Sequence, residues 1–460
     1  MTSTTGWRPT GGHASGPAPT GNELPEGAPG LDLVDRLARG RAITDALFGL
    51  VKDAALYDRP IAERHRIVFY VGHLEAFDWN LLQESLGERS FDPELDRLFA
   101  FGIDPLGGRR PTDVPGDWPE RAKIARYVER VRRSLDSALA SRDPSGDPPG
   151  DGLRERLHVA VEHRLMHAET LAYMLHLLPF EAKTGRPGRP PRSEEGPAAG
   201  GMVEIPAGVA TLGARRGEIP FGWDNEYEAH EALVPPFSID RFMVTNAQFL
   251  RFVDAGGYDD RALWSEGAWE WLGRDGVRHP VHWEHDGSRW LYRGMFATTP
   301  LSPSWPVYVS HAEATAYAKW AGRTLPTEAQ WHRAAYGTPE GDERAYPWGS
   351  APPRAEHGNF GFGSFDPMPV DAFPAGRSAF GVSGLLGNGW EWTSSPFQPF
   401  PGFARMPFYP GYSADFFDGE HYVLKGGSSR TATGLLRRSF RNWFQPQYPY
   451  VYAGFRCVLR

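Results

Sequence analysis

The chain is 460 residues long, carries a formal charge of -8 at pH 7 and contains one cysteine, Cys457. That length exceeds the usual size of one compact domain, so two domains with separate cores are expected. Mild acidity without blocks of like charge gives no electrostatic footprint for nucleic acid or an anionic membrane, and a lone cysteine excludes an internal disulfide and a thiolate metal cluster. Small molecules are the expected partners, and a metal would have to be held by His, Asp or Glu.

Residues 1–30 are rich in Gly, Pro, Thr and Ser with almost no apolar periodicity and read as a disordered leader. They lack the basic and apolar regions of a signal peptide. No apolar stretch in the chain is long enough to span a bilayer, so a cytoplasmic location is expected.

From residue 31 to residue 182 the apolar spacing is helical. The runs "LVDRLARGRAITDALFGLVKDAAL", "RIVFYVGHLEAFDWNLLQESL", "ERAKIARYVERVRRSLDSALA" and "LRERLHVAVEHRLMHAETLAYMLHLL" predict four long amphipathic helices, hence a bundle. Residues 183–201, with Pro, Gly and charge and little apolar anchorage, read as a linker. Residues 202–460 show short apolar runs, many Gly and Pro turns and most of the tryptophans, with clear helices only near "TNAQFLRFVDA" and "SHAEATAYAKWAG". They predict a loop-rich α+β domain.

In the fourth helical run, His163 and His167 stand at i and i+4, about 40° apart on one helical face, where they can share an ion. The second run supplies His73, beside Gly72, a residue that costs helix stability and so points to close packing or a nearby ligand. Antiparallel packing can bring His73 opposite the pair. Helix geometry alone leaves two readings open: unrelated core histidines, or a shared metal that satisfies imidazoles otherwise buried among Leu165, Met166, Leu171 and Met174. Glu169 lies about 240° from His163 and about 200° from His167 on the wheel, so it faces elsewhere. Three imidazoles without a carboxylate suit Fe(II) with open positions for O₂ and a substrate, and zinc chemistry with three His ligands is also possible.

The segments "GHLEAFDWN" and "HRLMHAET" resemble the metal-binding motifs of the DinB-like domain in ergothioneine-type sulfoxide synthases. The second domain carries "MVEIPAGVATLGA", "DRFMVTNAQFLRFV", "PVYVSHAEATAYAKWAGRTLPTEAQWHRAA", "GLLGNGWEWTSSPF", "VLKGGSS", "RRSFRNW" and "AGFRCVLR", in the order found in formylglycine-generating-enzyme-like domains. The resemblance implies an α+β protein: an N-terminal four-helix DinB-like bundle followed by a C-type-lectin-like domain. Formylglycine generation itself requires a cysteine pair that the chain lacks. The fusion instead resembles the non-heme iron synthases that use O₂ to join sulfur, or selenium in a sister group, to the imidazole of a histidine derivative.

That resemblance implies Fe(II) held by His73, His163 and His167, with O₂ as co-substrate. Its partners would be hercynine or histidine and a thiol or selenol donor. Asn442 and Trp443 match the family's contacts to the betaine, where an indole face attracts a quaternary ammonium and an amide orients the carboxylate. Met166, next to His167, belongs to the same substrate side. Enzymes using γ-glutamylcysteine carry "NWD" followed four residues later by arginine. This chain has Phe444 and Tyr448 at those places, which favours cysteine or a selenosugar. Tyr409 and Tyr412 are the candidates for the family's proton-delivering tyrosine, and Arg109 and Arg110 for binding the donor's carboxylate. Rival readings are an ovothiol-type synthase acting on histidine, a three-His zinc hydrolase or thiol transferase, and a non-catalytic lectin-like binding module.

Overall fold

The computed structural model describes residues 32–100, 110–142, 152–185 and 200–459. The chain divides into two compact units, Met1–Gly188 and Arg189–Arg460. Among the described residues, no helix is long and apolar enough to cross a membrane.

In the first unit the four helical runs become α1 (Leu33–Phe48), α2 (Ile67–Leu82), α4 (Arg121–Ala140) and α5 (Leu153–Leu177), with a short unanticipated α3 (Pro93–Leu98) between α2 and α4. Asp32 caps α1 by accepting from the Asp35 N–H, and Asp92 caps α3 from the Leu95 N–H. Helix α1 packs on α5, and α2 packs on both α4 and α5.

The amphipathic expectation holds for α4, which buries Ile124, Tyr127, Val128, Val131, Leu135 and Leu139. It fails for α2, where every residue but Phe77 and Asn80 is buried, and for most of α5. Both helices carry charge into the interior. The Arg164 guanidinium lies 3.0 Å from Glu75 and 2.5 Å from Asp78, and donates to the Leu74 carbonyl. Arg132 reaches the same Glu75 at 2.6 Å and holds Asp45 of α1 through two hydrogen bonds of 2.7 and 2.8 Å. Burial alone would raise the Glu75 carboxyl, but Arg164, Arg132 and Arg41 hold it below the ordinary carboxylate range. The network ties α1, α2, α4 and α5 together at one level of the bundle.

The second unit opens with β1 (Met202–Ile205), β2 (Gly208–Leu212), β3 (His230–Val234) and β4 (Phe237–Asp240). Four helices follow where two were expected: α6 (Asn246–Asp254), α7 (Glu266–Asp275), α8 (His311–Trp320) and α9 (Glu328–Tyr336). Strands β5 (Trp283–His285), β6 (Trp290–Arg293) and β7 (Thr298–Pro300) lie between α7 and α8. Capping boxes start three of the helices, Thr245 with Gln248, Ser310 with Glu313 and Thr327 with Gln330. Helix α9 was not apparent because all but Ala329 of it is buried, which erases the polar stripe that marks a surface helix.

The central sheet orders β8 (Gly389–Pro396), β9 (Tyr422–Gly427), β10 (Asn442–Phe444) and β11 (Ala453–Gly454) as β10-β9-β8-β11. Strand β12 (Val458–Leu459) joins β1 and β4 in a second sheet. In the core, Arg456 pairs with Glu391 through contacts of 2.5 and 2.6 Å, and the Trp331 indole N–H donates to the same carboxylate. Gly426, at φ 97°, is required where a Cβ would stand 2.6 Å from the Leu385 carbonyl oxygen. Strand β10 places Asn442 opposite Leu424 and Trp443 opposite Val423 of β9. Cys457 is buried and free.

Candidate metal centre

Helix α2 presents His73 to His163 and His167 of α5, and the ligand atoms of all three lie within 4.8 Å of one another. The three rings are buried. His167 Nε2 stands 3.1 Å from His163 Nε2 and 3.3 Å from His73 Nε2. The Phe99 carbonyl, at the end of α3, lies 2.8 Å from His73 Nδ1 and takes its proton, which leaves Nε2 as a lone pair facing the other rings. His167 Nε2 can donate or accept but not both, and His73 Nε2 can only accept, so at most one of the two contacts is a full hydrogen bond unless a cation lies among them.

The two spacings that His167 makes fit an ion. Imidazole nitrogens at about 2.1 Å from a metal stand about 3.0 Å apart on an octahedral face and about 3.4 Å apart in a tetrahedron. The separations of 3.1 and 3.3 Å fall between the two. Protonation does not compete. Burial holds His73 down to about 4, and burial followed by the neighbouring imidazoles holds His163 and His167 well below the ordinary histidine value.

Aromatic rings form the walls. Phe77 stacks on His163 at 3.4 Å between centroids, and Phe69 stacks on His73 at 4.8 Å. Phe69, His73 and Phe77 are four residues apart on one face of α2, a spacing that could have revealed them. Gly72 has a packing role: a Cβ there would meet the Phe99 ring at 2.5 Å. Glu169 is buried on α5 but does not join the convergent group. Met166 is half-buried on α5, and its carbonyl accepts from the Thr170 hydroxyl. Arg110 is exposed and pairs with Glu63 at 2.8 Å, whereas Arg109 lies outside the described residues.

In the second unit, the predicted substrate-side residues form an aromatic group of their own. Trp443 stacks on Phe397 at 4.1 Å and 7°, and meets the Tyr412 ring edge to face at 5.4 Å. Phe416 adds a tilted contact at 5.6 Å. Tyr409 lies 5.7 Å from Tyr412. The Asn442 side-chain oxygen accepts from the Trp443 N–H at 2.9 Å, leaving the amide NH₂ as a donor. Phe444 and Tyr448 stack on each other at 5.1 Å and 4°. Phe397, Phe416 and Trp223, which packs on Tyr412 at 3.8 Å, were not singled out in the sequence, where one tryptophan among 16 carries no signal.

Comparison with known proteins matches residues 36–171 to the DinB superfamily and residues 188–460 to the sulfatase-modifying factor enzyme 1-like domain. The chain is 38% identical to the hercynine oxygenase of Mycolicibacterium thermoresistibile, over 80% of each chain. With the hercynine oxygenase of Mycolicibacterium smegmatis it shares 39% identity, over 80% of this chain and 83% of that one. Ergothioneine biosynthesis protein 1 of Neurospora crassa is 28% identical over 88% of this chain, which spans 55% of the fungal protein. With both domains present and such identity sustained over four fifths of its length, the chain belongs to the oxidoreductase family of the hercynine oxygenases.

Proposed function

We propose that the protein is an O₂-dependent non-heme Fe(II) synthase that forms a carbon–sulfur or carbon–selenium bond on the imidazole of hercynine. The observation that carries the reading is the convergence of three buried, neutral imidazoles with the His73 tautomer fixed by the Phe99 carbonyl. The similarity to hercynine oxygenases supports the substrate. His73, His163 and His167 would hold the iron. Bound Fe(II) would supply open coordination positions where imidazole, chalcogen donor and O₂ are brought together, and the electrons with which O₂ reacts.

The chain's own groups bind and orient. Phe69 and Phe77 cover two of the ligand rings and keep water from them. With Phe397 on one face of the Trp443 indole, a trimethylammonium group would take the opposite face, and the Asn442 amide would donate to the carboxylate beside it. Tyr412, in contact with Trp443, would hold the proton that the oxygen chemistry consumes, and Tyr409 is the second candidate. The stacked Phe444 and Tyr448 rings offer no charge to a γ-glutamyl group, so cysteine or a selenosugar is the preferred donor.

The test is a panel of anaerobic binding followed by turnover on admission of O₂, in which hercynine and histidine are crossed with cysteine, γ-glutamylcysteine and a selenosugar, with products read by mass spectrometry. Turnover with hercynine and a donor other than γ-glutamylcysteine is expected. Stoichiometric zinc in the purified protein, no reconstitution by Fe(II) and no O₂ consumption with any pair would overturn the reading and leave a zinc hydrolase or thiol transferase.

A further inference from the structure

Two segments of the second unit carry its substrate-side groups: the loop from Met406 to Phe416, with Tyr409 and Tyr412, and the run from Arg437 to Trp443. Both are tied to one short turn, Trp223–Asp224–Asn225–Glu226, which is buried throughout. The Asp224 carboxylate accepts from the Ser413 hydroxyl at 2.6 Å and so holds the residue next to Tyr412. Trp223 lies against the middle of that loop, stacked on Tyr412 at 3.8 Å and edge to face with Tyr409 at 6.4 Å.

The other half of the turn holds the second segment. Glu226 accepts from Arg437 at 2.7 and 2.5 Å and from the Ser439 hydroxyl at 2.6 Å, while its Oε1 also takes the Trp223 N–H. The Asn225 carbonyl accepts from Arg441, whose guanidinium is further fixed by two hydrogen bonds to Glu328 at 3.0 and 3.2 Å. That guanidinium lies 4.8 Å over the Phe397 ring, and Phe397 stacks on Trp443. A chain of contacts therefore runs from the turn through Arg441 and Phe397 to Trp443, and a second one runs through Asp224 and Trp223 to Tyr412. The 5.4 Å contact between Tyr412 and Trp443 closes the circuit.

We propose that the Trp223–Glu226 turn is the positioning element of the substrate side, with Asp224 as the positioning residue that sets the Tyr412 ring against Trp443. The inference rests on the reading that Trp443 binds the betaine. A carboxylate is suited to the task because a hydroxyl donates a shorter and stronger hydrogen bond to an ionised oxygen than to a neutral amide. The geometry predicts that loosening this grip degrades recognition of the quaternary ammonium substrate and leaves the metal centre, built on α2 and α5, intact.

The experiment uses the full-length, iron-loaded protein and four variants: Asp224→Asn, Ser413→Ala, Trp443→Phe and the Asp224→Asn/Trp443→Phe double variant. Iron content and thermal transition are measured first, and then anaerobic binding of hercynine in the absence of any donor. Asp224→Asn and Ser413→Ala are each expected to keep wild-type iron content and to weaken hercynine binding by about tenfold. On the Trp443→Phe background the Asp224→Asn effect should shrink below about twofold, because both act through one contact. A merely structural aspartate would lower the thermal transition equally on both backgrounds and leave hercynine affinity unchanged. Wild-type affinity in Asp224→Asn beside a clear loss in Trp443→Phe would overturn the proposal alone. Wild-type affinity in Trp443→Phe would overturn the betaine reading and the proposal with it. Should Asp224→Asn fail to fold, wild-type affinity in Ser413→Ala would overturn the proposal.

Discussion

The Phe99 carbonyl oxygen lies 2.8 Å from His73 Nδ1, and the Phe99 ring packs where a side chain on Gly72 would stand. The same residue thus fixes the tautomer of His73 and requires glycine beside it in the helix. Gly72→Ala gains helix propensity of about 1 kcal/mol, yet its methyl would displace Phe99 and with it the acceptor for His73. Groups that orient a ligand histidine through its second nitrogen are worth about 10- to 100-fold in metal affinity. Gly72→Ala is therefore expected to bind Fe(II) at least about tenfold more weakly by anaerobic titration while retaining its fold by circular dichroism. Wild-type affinity would show that Phe99 does not orient His73.

Burial keeps the three histidines neutral far below the ordinary histidine range, with His73 at about 4. Protons compete with a metal only near or below the folded-state value, so affinity should stay level from about pH 8 to about pH 5.5, where an exposed three-His site would already weaken below about pH 6.5. The sign for the metal-free protein follows from the same shifts. With the folded value depressed, stability is complete above about pH 6.5 and is lost as pH falls toward 4. Metal titration at stepped pH checks the first expectation. A tenfold loss of affinity between pH 6.5 and 5.5 would contradict it.

Much of this site was legible in the sequence, and what was not has physical reasons. The pair His163 and His167 declares itself by i, i+4 spacing, and His73 by its place beside a helix glycine. Phe99 is set by the short α3, whose six residues give too little periodicity to read. Helix α9 was hidden by burial on almost all sides. The charges Glu75, Asp78 and Arg164 were visible within otherwise apolar runs, but which carboxylate meets which guanidinium depends on the packing of α2 against α5. The grip of Asp224 on Ser413 spans 189 residues of chain and leaves no local trace.

The buried network makes a prediction about stability. Glu75 receives Arg164 and Arg132 in the interior, and removing one partner of a buried ion pair strands the other. Glu75→Gln, which keeps the shape and removes the charge, is expected to cost about 3–5 kcal/mol in the unfolding of the bundle. Urea unfolding followed by circular dichroism measures it. A loss below about 1 kcal/mol would mean that the guanidiniums find other anions.

His167 gives the sharpest separation of stability from function. Its Nε2 faces two other imidazole nitrogens, and its Nδ1 has no hydrogen-bond partner among the described residues. In the metal-free protein this ring is a buried polar group with poor compensation, which costs about 1–3 kcal/mol relative to an apolar side chain of similar size. His167→Leu should therefore stabilise the metal-free bundle by about 1 kcal/mol, a rise of about 2–4 °C in its thermal transition. The metal effect should run the other way. A ligand that binds only the folded state stabilises it in proportion to the logarithm of its concentration over its dissociation constant, so Fe(II) or Zn(II) should raise the transition of the wild type and leave that of His167→Leu unmoved. Scanning both proteins with and without metal decides the matter. If the variant responds to metal like the wild type, His167 is not a ligand. If it is instead destabilised without metal, the three imidazoles are held in place by packing that does not depend on an ion.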